Sequence, residues 1–150
     1  MAGPGHRGPR ARSTDHRLIT AHAPRLLACH VVGPVTVAQL LVTAGSNPDR
    51  LRGDAALAAL CGASPGAGLV WKHHPAPAQP WRRPRGNNAL WVIAHVRTIS
   101  DPRTRTFGAK RTATGNSRKE IMRMLQRYIA RELYPLIIDT LRASATIGLT

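Results

Sequence analysis

A chain of 150 residues with 19 Arg and 3 Lys against 7 carboxylates carries a formal charge of +15 and a pI near 11.8. That length supports one domain with a modest core plus tails, and so large an excess points to a polyanionic partner, most simply nucleic acid. Cys29 and Cys61 stand far apart, which excludes a Cys-x-x-Cys zinc site and a disulfide framework, and no run approaches the roughly 18 apolar residues of a membrane span.

A GC-rich genome favours Arg over Lys but does not account for the shortage of acids. With no apolar stretch of signal-peptide length at the N-terminus, the chain is expected to be soluble and cytoplasmic, with no membrane partner. Residues 1–18 carry Gly, Pro, Arg and His with almost nothing apolar. They cannot bury enough surface to offset the entropy of ordering, and are expected to form a disordered basic arm.

From Ile19 the pattern changes. Leu26, Leu27 and Cys29 predict a short helix ending near His30. After Val31-Val32-Gly33, a second helix carries Val35, Ala38, Leu41 and Val42, with Pro34 at its first position and Gly45 just past its end. Two short helices joined by a tight turn at Gly33, with Thr36 in the first turn of the second, make a hairpin whose free backbone N–H groups can hold a phosphate. The plainer reading is that Gly33 only turns the chain. Asn47-Pro48-Asp49 reads as a turn, and Asp54 as the cap of a helix from Ala55 to Cys61 that Gly62 stops. Leu57 and Leu60 give that helix one narrow apolar stripe.

The stretch from Gly66 to Gly86 contains Pro75, Pro77, Pro80 and Pro84, each of which removes a backbone donor, so an irregular segment is expected. Beyond it, Asn87 or Asn88 caps a helix whose apolar residues are Leu90, Trp91, Ile93, Ala94 and Val96, ended by Asp101-Pro102. Arg103, Arg105, Lys110 and Arg111 follow in what reads as a polar connection broken by Gly108 and Gly115. Ser117 and Glu120 form a Ser-x-x-Glu capping box. Behind it, Ile121, Leu125, Ile129 and Leu133 recur every four residues and carry the helix at least to Tyr134.

Lys119, Arg123, Arg127 and Arg131 recur at the same interval, offset by two, and so lie roughly opposite the apolar stripe. A charged stripe in that position is ordinarily the solvated face of an amphipathic helix. Here only Glu120 and Glu132 are available as partners, and unpaired cations in a row are what phosphate contacts require.

The seven carboxylates show no paired spacing, and neither His73-His74 nor the isolated His30 and His95 belong to a ligand pattern, so no metal site is expected in this chain. No phosphate-binding Gly-rich loop, nucleophile elbow or dinucleotide fingerprint occurs.

Several stretches resemble the C-terminal domain of the insertion-sequence one-ten family of transposases. They are Gly33-Pro34-Val35-Thr36-Val37-Ala38-Gln39-Leu40-Leu41-Val42-Thr43-Ala44-Gly45, Asn47 to Leu51 and Ala56 to Pro65, then Asn87 to Leu90, Asp101 to Arg105, Arg111 to Ala113, Lys119 to Arg123 and Arg127 to Tyr134. Together they span about two thirds of the chain in the family's order and spacing. The resemblance implies a bacterial DNA recombinase in two parts: an RNase-H-like domain with four acidic residues binding magnesium, and a helical domain with a nucleophilic serine. It also implies guidance by a structured RNA. A phosphoserine linkage would preserve bond energy during strand exchange, and magnesium would stabilise the charge on the phosphoryl group.

Three departures follow. Only Asp15 precedes the matched region, so the chain is expected to be a truncated fragment in which magnesium belongs to the missing domain. Where the family has Pro-Gly before Val-Gly-Pro, this chain has His30-Val31, and Val suits a positive φ poorly. Finally, the family reads Val-x-Ala-Ser-Ser-Gly-x-Thr-x-Arg-His-Arg-Leu-Asn-Arg-Gly-Gly-Asp-Arg-x-Ala across a segment as long as Gly66 to Gly86, and its serine falls at about Leu69 and Val70. Ser64 aligns with a different family position and is not promoted to nucleophile.

The genetic code connects the two versions. Ala76 to Pro84 can be written GCA CCG GCT CAA CCG TGG CGG CGA CCG, and dropping the first base yields His-Arg-Leu-Asn-Arg-Gly-Gly-Asp. Gly68 to Trp71, as GGC CTC GTC TGG followed by A, shifts to Ala-Ser-Ser-Gly. Two compensating single-base changes, near Pro65 and near Gly86, are therefore expected to have put this segment out of frame.

The resulting expectation is mainly α. A basic arm (1–18) precedes a helix-hairpin-helix-like half (19–65) and the irregular segment (66–86). A helical half (87–141) with a long amphipathic helix and a tail (142–150) follow. The chain is expected to be a catalytically inactive transposase fragment holding no cofactor. Its partners are DNA, with room for a structured guide RNA and for self-association. Contacts are assigned to Gly33, Thr36, Arg103, Arg105, Lys110, Arg111, Lys119, Arg123, Arg127 and Arg131. The rival expectation is a stand-alone basic DNA- or RNA-binding protein without catalysis.

Overall fold

A computed structural model of the chain describes residues 9–45, 47–63 and 84–147. The described residues form seven α-helices and one 3-10 turn, with no strand: α1 Pro9–His22, α2 Pro24–Leu27, α3 Pro34–Ala44, the turn Pro48–Arg50, α4 Asp54–Leu60, α5 Pro84–Ser100, α6 Pro102–Ala113 and α7 Arg118–Ile147. The fold is mainly α, as expected. Residues 1–8 of the arm, Ser64, the segment's Leu69, Val70, His73 and His74, and 148–150 of the tail lie outside the described residues.

The signals at helix ends act locally and are obeyed. Gly45 closes α3 at φ 80° with its N–H donating to the Leu41 carbonyl at 3.0 Å. Gly62 at φ 74° ends α4, and the Ala63 N–H reaches back to the Ala58 carbonyl at 2.7 Å, the six-to-one bond of a Schellman turn. Asn47 accepts from the Asp49 N–H within the expected turn. The capping box forms at α7, where the Ser117 N–H donates to Glu120 at 2.7 Å and the Glu120 N–H to the Ser117 hydroxyl at 3.3 Å. Replacing Ser117 with Ala should lower stability by about 1 kcal/mol in a denaturant titration. Unchanged stability would mean that water replaces the cap without loss.

Several boundaries differ from the sequence reading. The chain is helical from Pro9, ahead of the apolar residues, because α1 docks on α3 through the half-buried Ile19 and leads into the buried Ala23. Gly53, not Asp54, is the N-cap residue of α4. α5 starts at Pro84 rather than at Asn87 or Asn88, since Pro at the first position needs no N–H partner. Its Trp91, one of the apolar residues of that helix, is 45% exposed. The largest difference is α6: residues 102–113 are helix where a polar connection was expected. Asp101 both follows the last residue of α5 and caps α6, accepting the Arg103 and Thr104 N–H groups at 3.3 and 3.1 Å, with Pro102 in the first turn. Gly108 weakens that helix without breaking it.

α7 is the spine. Ile121, Leu125, Ile129 and Leu133 are buried as the spacing predicts, and the stripe continues through Ile137 and Ile138 to a helix end well past Tyr134. α4 and α5 pack on it, and α5 in turn packs on α3 and α6. Pro135 sits inside α7. It supplies no N–H to the carbonyl four residues back, that of Arg131, and both residues are solvent-exposed, so water can take that bond. The Tyr134 hydroxyl donates to the Leu51 carbonyl at 2.6 Å and fixes the chain after the 3-10 turn to the spine.

Cys61, fully buried between these elements, has its thiol pushed up to about 12 by burial. A thiol that ionises less readily folded than unfolded contributes stability that is whole below its ordinary value and is lost as pH rises towards 12. Stability should therefore fall from pH 9 upward, by as much as about 1.4 kcal/mol per pH unit. Cys61→Ala should flatten that slope; an equal slope in both proteins would assign it to other groups.

Candidate nucleic-acid interface

The stretch from 102 to 131 contributes nine cations and a single acid, Glu120. Whether those cations are free depends on where the acids go. Asp101 is the cap of α6, and the hydrogen bond from the Thr104 hydroxyl, helped by the Thr104 and Arg103 N–H groups, holds its carboxyl below the usual range. Glu120 closes the capping box. Glu132 takes both ends of the Arg97 guanidinium at 2.7 and 3.0 Å, and Asp139 meets Arg25 at 3.2 Å. These last two are the ion pairs seen between described residues. The carboxylates of this half thus have structural partners, and Arg103, Arg105, Lys110, Arg111, Lys119, Arg123, Arg127 and Arg131 pair with none of them.

Two groups emerge among these cations. On α6, Arg103, Lys110 and Arg111 gather round Phe107. Arg103 and Lys110 line one shallow depression beside its ring, and the Arg111 guanidinium lies 5.3 Å from the ring centre, within cation–π range. Phe107 meets Tyr128 of α7 edge to face at 5.6 Å, which joins the α6 cations to the α7 stripe. Tyr128 is itself 53% exposed. Arg105 is exposed on α6, while Arg127 is half-buried and Arg131 exposed on α7.

The second group lies in a cleft between α5 and the start of α7, with a volume of about 490 Å³. Lys119 and Arg123 line it together with Arg118, Trp91, His95 and Gln126. Trp91 and His95, four residues apart on α5, stack with ring centres 4.8 Å apart and planes 7° from parallel. The His95 Nδ1 is buried without a hydrogen-bond partner among the described residues. Gln126, buried beneath, donates to the Asn87 carbonyl and side-chain oxygen at 3.4 and 3.3 Å.

Gly33 and Thr36 are not part of either group. Gly33 is the N-cap of α3 at φ −92°, in ordinary extended backbone, and Thr36 is buried. The side chain of Thr36 therefore faces the core. The strained position in that turn is Val31, at φ 66°.

Arg97, Arg118 and the Trp91–His95 stack, which line or brace these groups, were not assigned to the site from the sequence. A signal existed for Arg97: it continues the Leu90, Ile93, Ala94 stripe by three residues, so its placement inside was foreseeable. Its side chain is 12% exposed, and besides Glu132 it donates to the His30 carbonyl at 3.3 and 3.1 Å, tying α5, α7 and the hairpin turn together. Glu132 hydrogen bonds hold its proton more firmly still. For Trp91 the signal was the reverse, since it falls off that stripe.

No described helix is long and apolar enough to cross a membrane. Compared with protein-family models, with curated proteins and with solved structures, the chain finds no match in any of the three.

Proposed function

We propose that this chain is a non-catalytic nucleic-acid-binding domain derived from a transposase of the family it resembles, binding the DNA or RNA backbone through α6 and α7. The observation that carries the reading is the separation of charge: acids of this half are taken up in caps and ion pairs, while eight cations of α6 and α7 stand clear of them, some gathered round Phe107 and others lining the cleft beside Trp91. An ordinary solvated face would mix signs; a phosphate-binding face gains by displacing condensed counterions.

Loss of catalysis rests on the sequence. Residues 66 to 86 contain no serine, so the nucleophile that the resemblance implies has no counterpart there. Magnesium in such a system would belong to the acidic domain, and no step is assigned to it here.

The test is the salt dependence of binding. Affinity for a short DNA duplex, followed by anisotropy over a salt series, should fall linearly on a log–log plot. Changing Arg103, Arg105, Lys110 and Arg127 together to Gln should flatten the slope by about 3–4. All four are at least partly exposed, so the melt should move little. A slope that does not change, or no binding at low salt, contradicts the proposal. Strand cleavage by the chain with RNA and magnesium would contradict its non-catalytic part.

A further inference from the structure

We infer that the cleft between α5 and α7 takes one unpaired nucleotide of a strand, with its base stacked on Trp91 and its flanking phosphates held by Arg118, Lys119 and Arg123. This rests on the nucleic-acid-binding role proposed above and narrows it from a charged face to a site with a defined occupant.

Three features converge. The cleft, at about 490 Å³, is within the range of pockets that enclose small ligands. Its three cations have no carboxylate on the lining and no ion pair among the described residues. Its aromatic wall is a pre-assembled stack: His95 covers one face of Trp91 in near-parallel register, yet the indole stays 45% exposed.

An exposed tryptophan alone is ordinary. One backed by a parallel imidazole, inside a cavity rimmed by cations, matches the two needs of a nucleotide in one place. Base stacking is indifferent to base identity because every base has a π-face, and Arg and Lys supply the backbone contacts. The buried His95 Nδ1 makes no hydrogen bond to a described residue. A buried nitrogen left unpartnered costs stability, so stacking, not core polarity, is what the imidazole supplies here. Met122 gives the cleft a polarisable apolar wall, and the exposed Asn87 amide lies on the lining where a base edge can meet it.

A base paired inside a duplex has both faces covered by its neighbours and cannot enter such a stack without being turned out. The site therefore selects single strands, while α6 and the rest of α7 bind either form through phosphates.

The experiment compares a labelled oligo(dT) strand of roughly a dozen nucleotides with a duplex of the same length, using the full chain. Trp91→Ala should weaken single-strand binding about five- to tenfold and change duplex binding by less than about twofold, while Trp91→Phe should keep most of the single-strand affinity. Equal loss on both forms, or no loss on either, overturns the inference. A second measurement does not depend on the folding of that variant. In a Trp71→Phe, Trp81→Phe protein, Trp91 is the remaining tryptophan, and oligo(dT) should quench its emission whereas duplex should not. Absence of quenching at saturating strand overturns the inference even if the wild-type chain binds both forms, in which case the charged-face reading stands. Binding of neither form would remove both.

Discussion

Gly86→Ala is expected to destabilise the domain by about 2–3 kcal/mol, although alanine is the better helix former by about 1 kcal/mol. Gly86 lies in the first turn of α5, buried where that helix crosses α3 and the end of α4. A Cβ there would sit 2.5 Å from the Thr43 methyl, 2.9 Å from its hydroxyl and 2.8 Å from the Cys61 sulfur. Because both branches of Thr43 crowd the position, rotating that side chain exchanges one clash for another. The hydroxyl is also held on the Gln39 carbonyl at 2.7 Å. Relief must therefore come from moving helices, which a close-packed core resists. The check is a double-mutant cycle: Thr43→Ala should recover most of the loss when combined with Gly86→Ala, a coupling of the sign and size expected for residues in contact. Additive losses would show that the crossing is looser than the distances imply.

Val31→Gly should act in the opposite direction, raising stability by about 1 kcal/mol. Val31 holds φ 66° in the turn between α2 and α3, a region that costs a β-branched residue about 1–3 kcal/mol. The turn is over-determined by its neighbours. Val32 is buried, its N–H donates to the Cys29 carbonyl at 3.2 Å, and the His30 carbonyl receives two bonds from Arg97. Glycine removes the strain but loses more freedom on folding, which returns up to about 1 kcal/mol of the gain. A thermal melt a few degrees higher is the expected reading. A lower melt would mean that the half-buried Val31 side chain contributes more than its backbone strain costs. Glycine is also what the proposed transposase origin would place at this position.

Legibility in the sequence followed the range of the forces. Signals satisfied within one turn were readable: the Ser117–Glu120 box, the glycines at 45 and 62 that need φ above zero, and the four-residue apolar repeat of α7. α6 was missed for an equally local reason. Asp101-Pro102 was read as a stop, yet an Asx cap followed by Pro starts a helix as well as it follows one, and Gly108 was given more weight as a breaker than an α-helix bounded by a good cap allows. The start of α1 was not readable, since residues 9–17 carry almost nothing apolar and the helix docks through Ile19, near its C-terminal end.

For the site, the cation stripe on α7 was legible because periodicity fixes a face. The cleft was not. It depends on α5 meeting the start of α7 so that Trp91 and His95 face Arg118, Lys119 and Arg123, and no spacing within either helix encodes that meeting. Gly33 and Thr36 show the converse, a motif placed correctly in the fold whose side chain turned inward.

Descent from a transposase with a frame-shifted catalytic segment is the central claim about the origin of this chain and its lost catalysis, and the nucleotide sequence of codons 66 to 86 tests it most directly. Third bases are largely silent in the protein, so nothing in this chain obliges them to spell a second message. Shifted by one base, the codon of His73 must be CAC to yield the family's threonine, and that of Pro75 must be CCG to yield its arginine. The codons of Ala76, Ala78 and Arg83 must end in A, T and A to give its histidine, leucine and aspartate. The account predicts these third bases, together with a reading frame that rejoins the present one near Gly86. Codons that encode this protein but fail to produce the family motif in the shifted frame would contradict it.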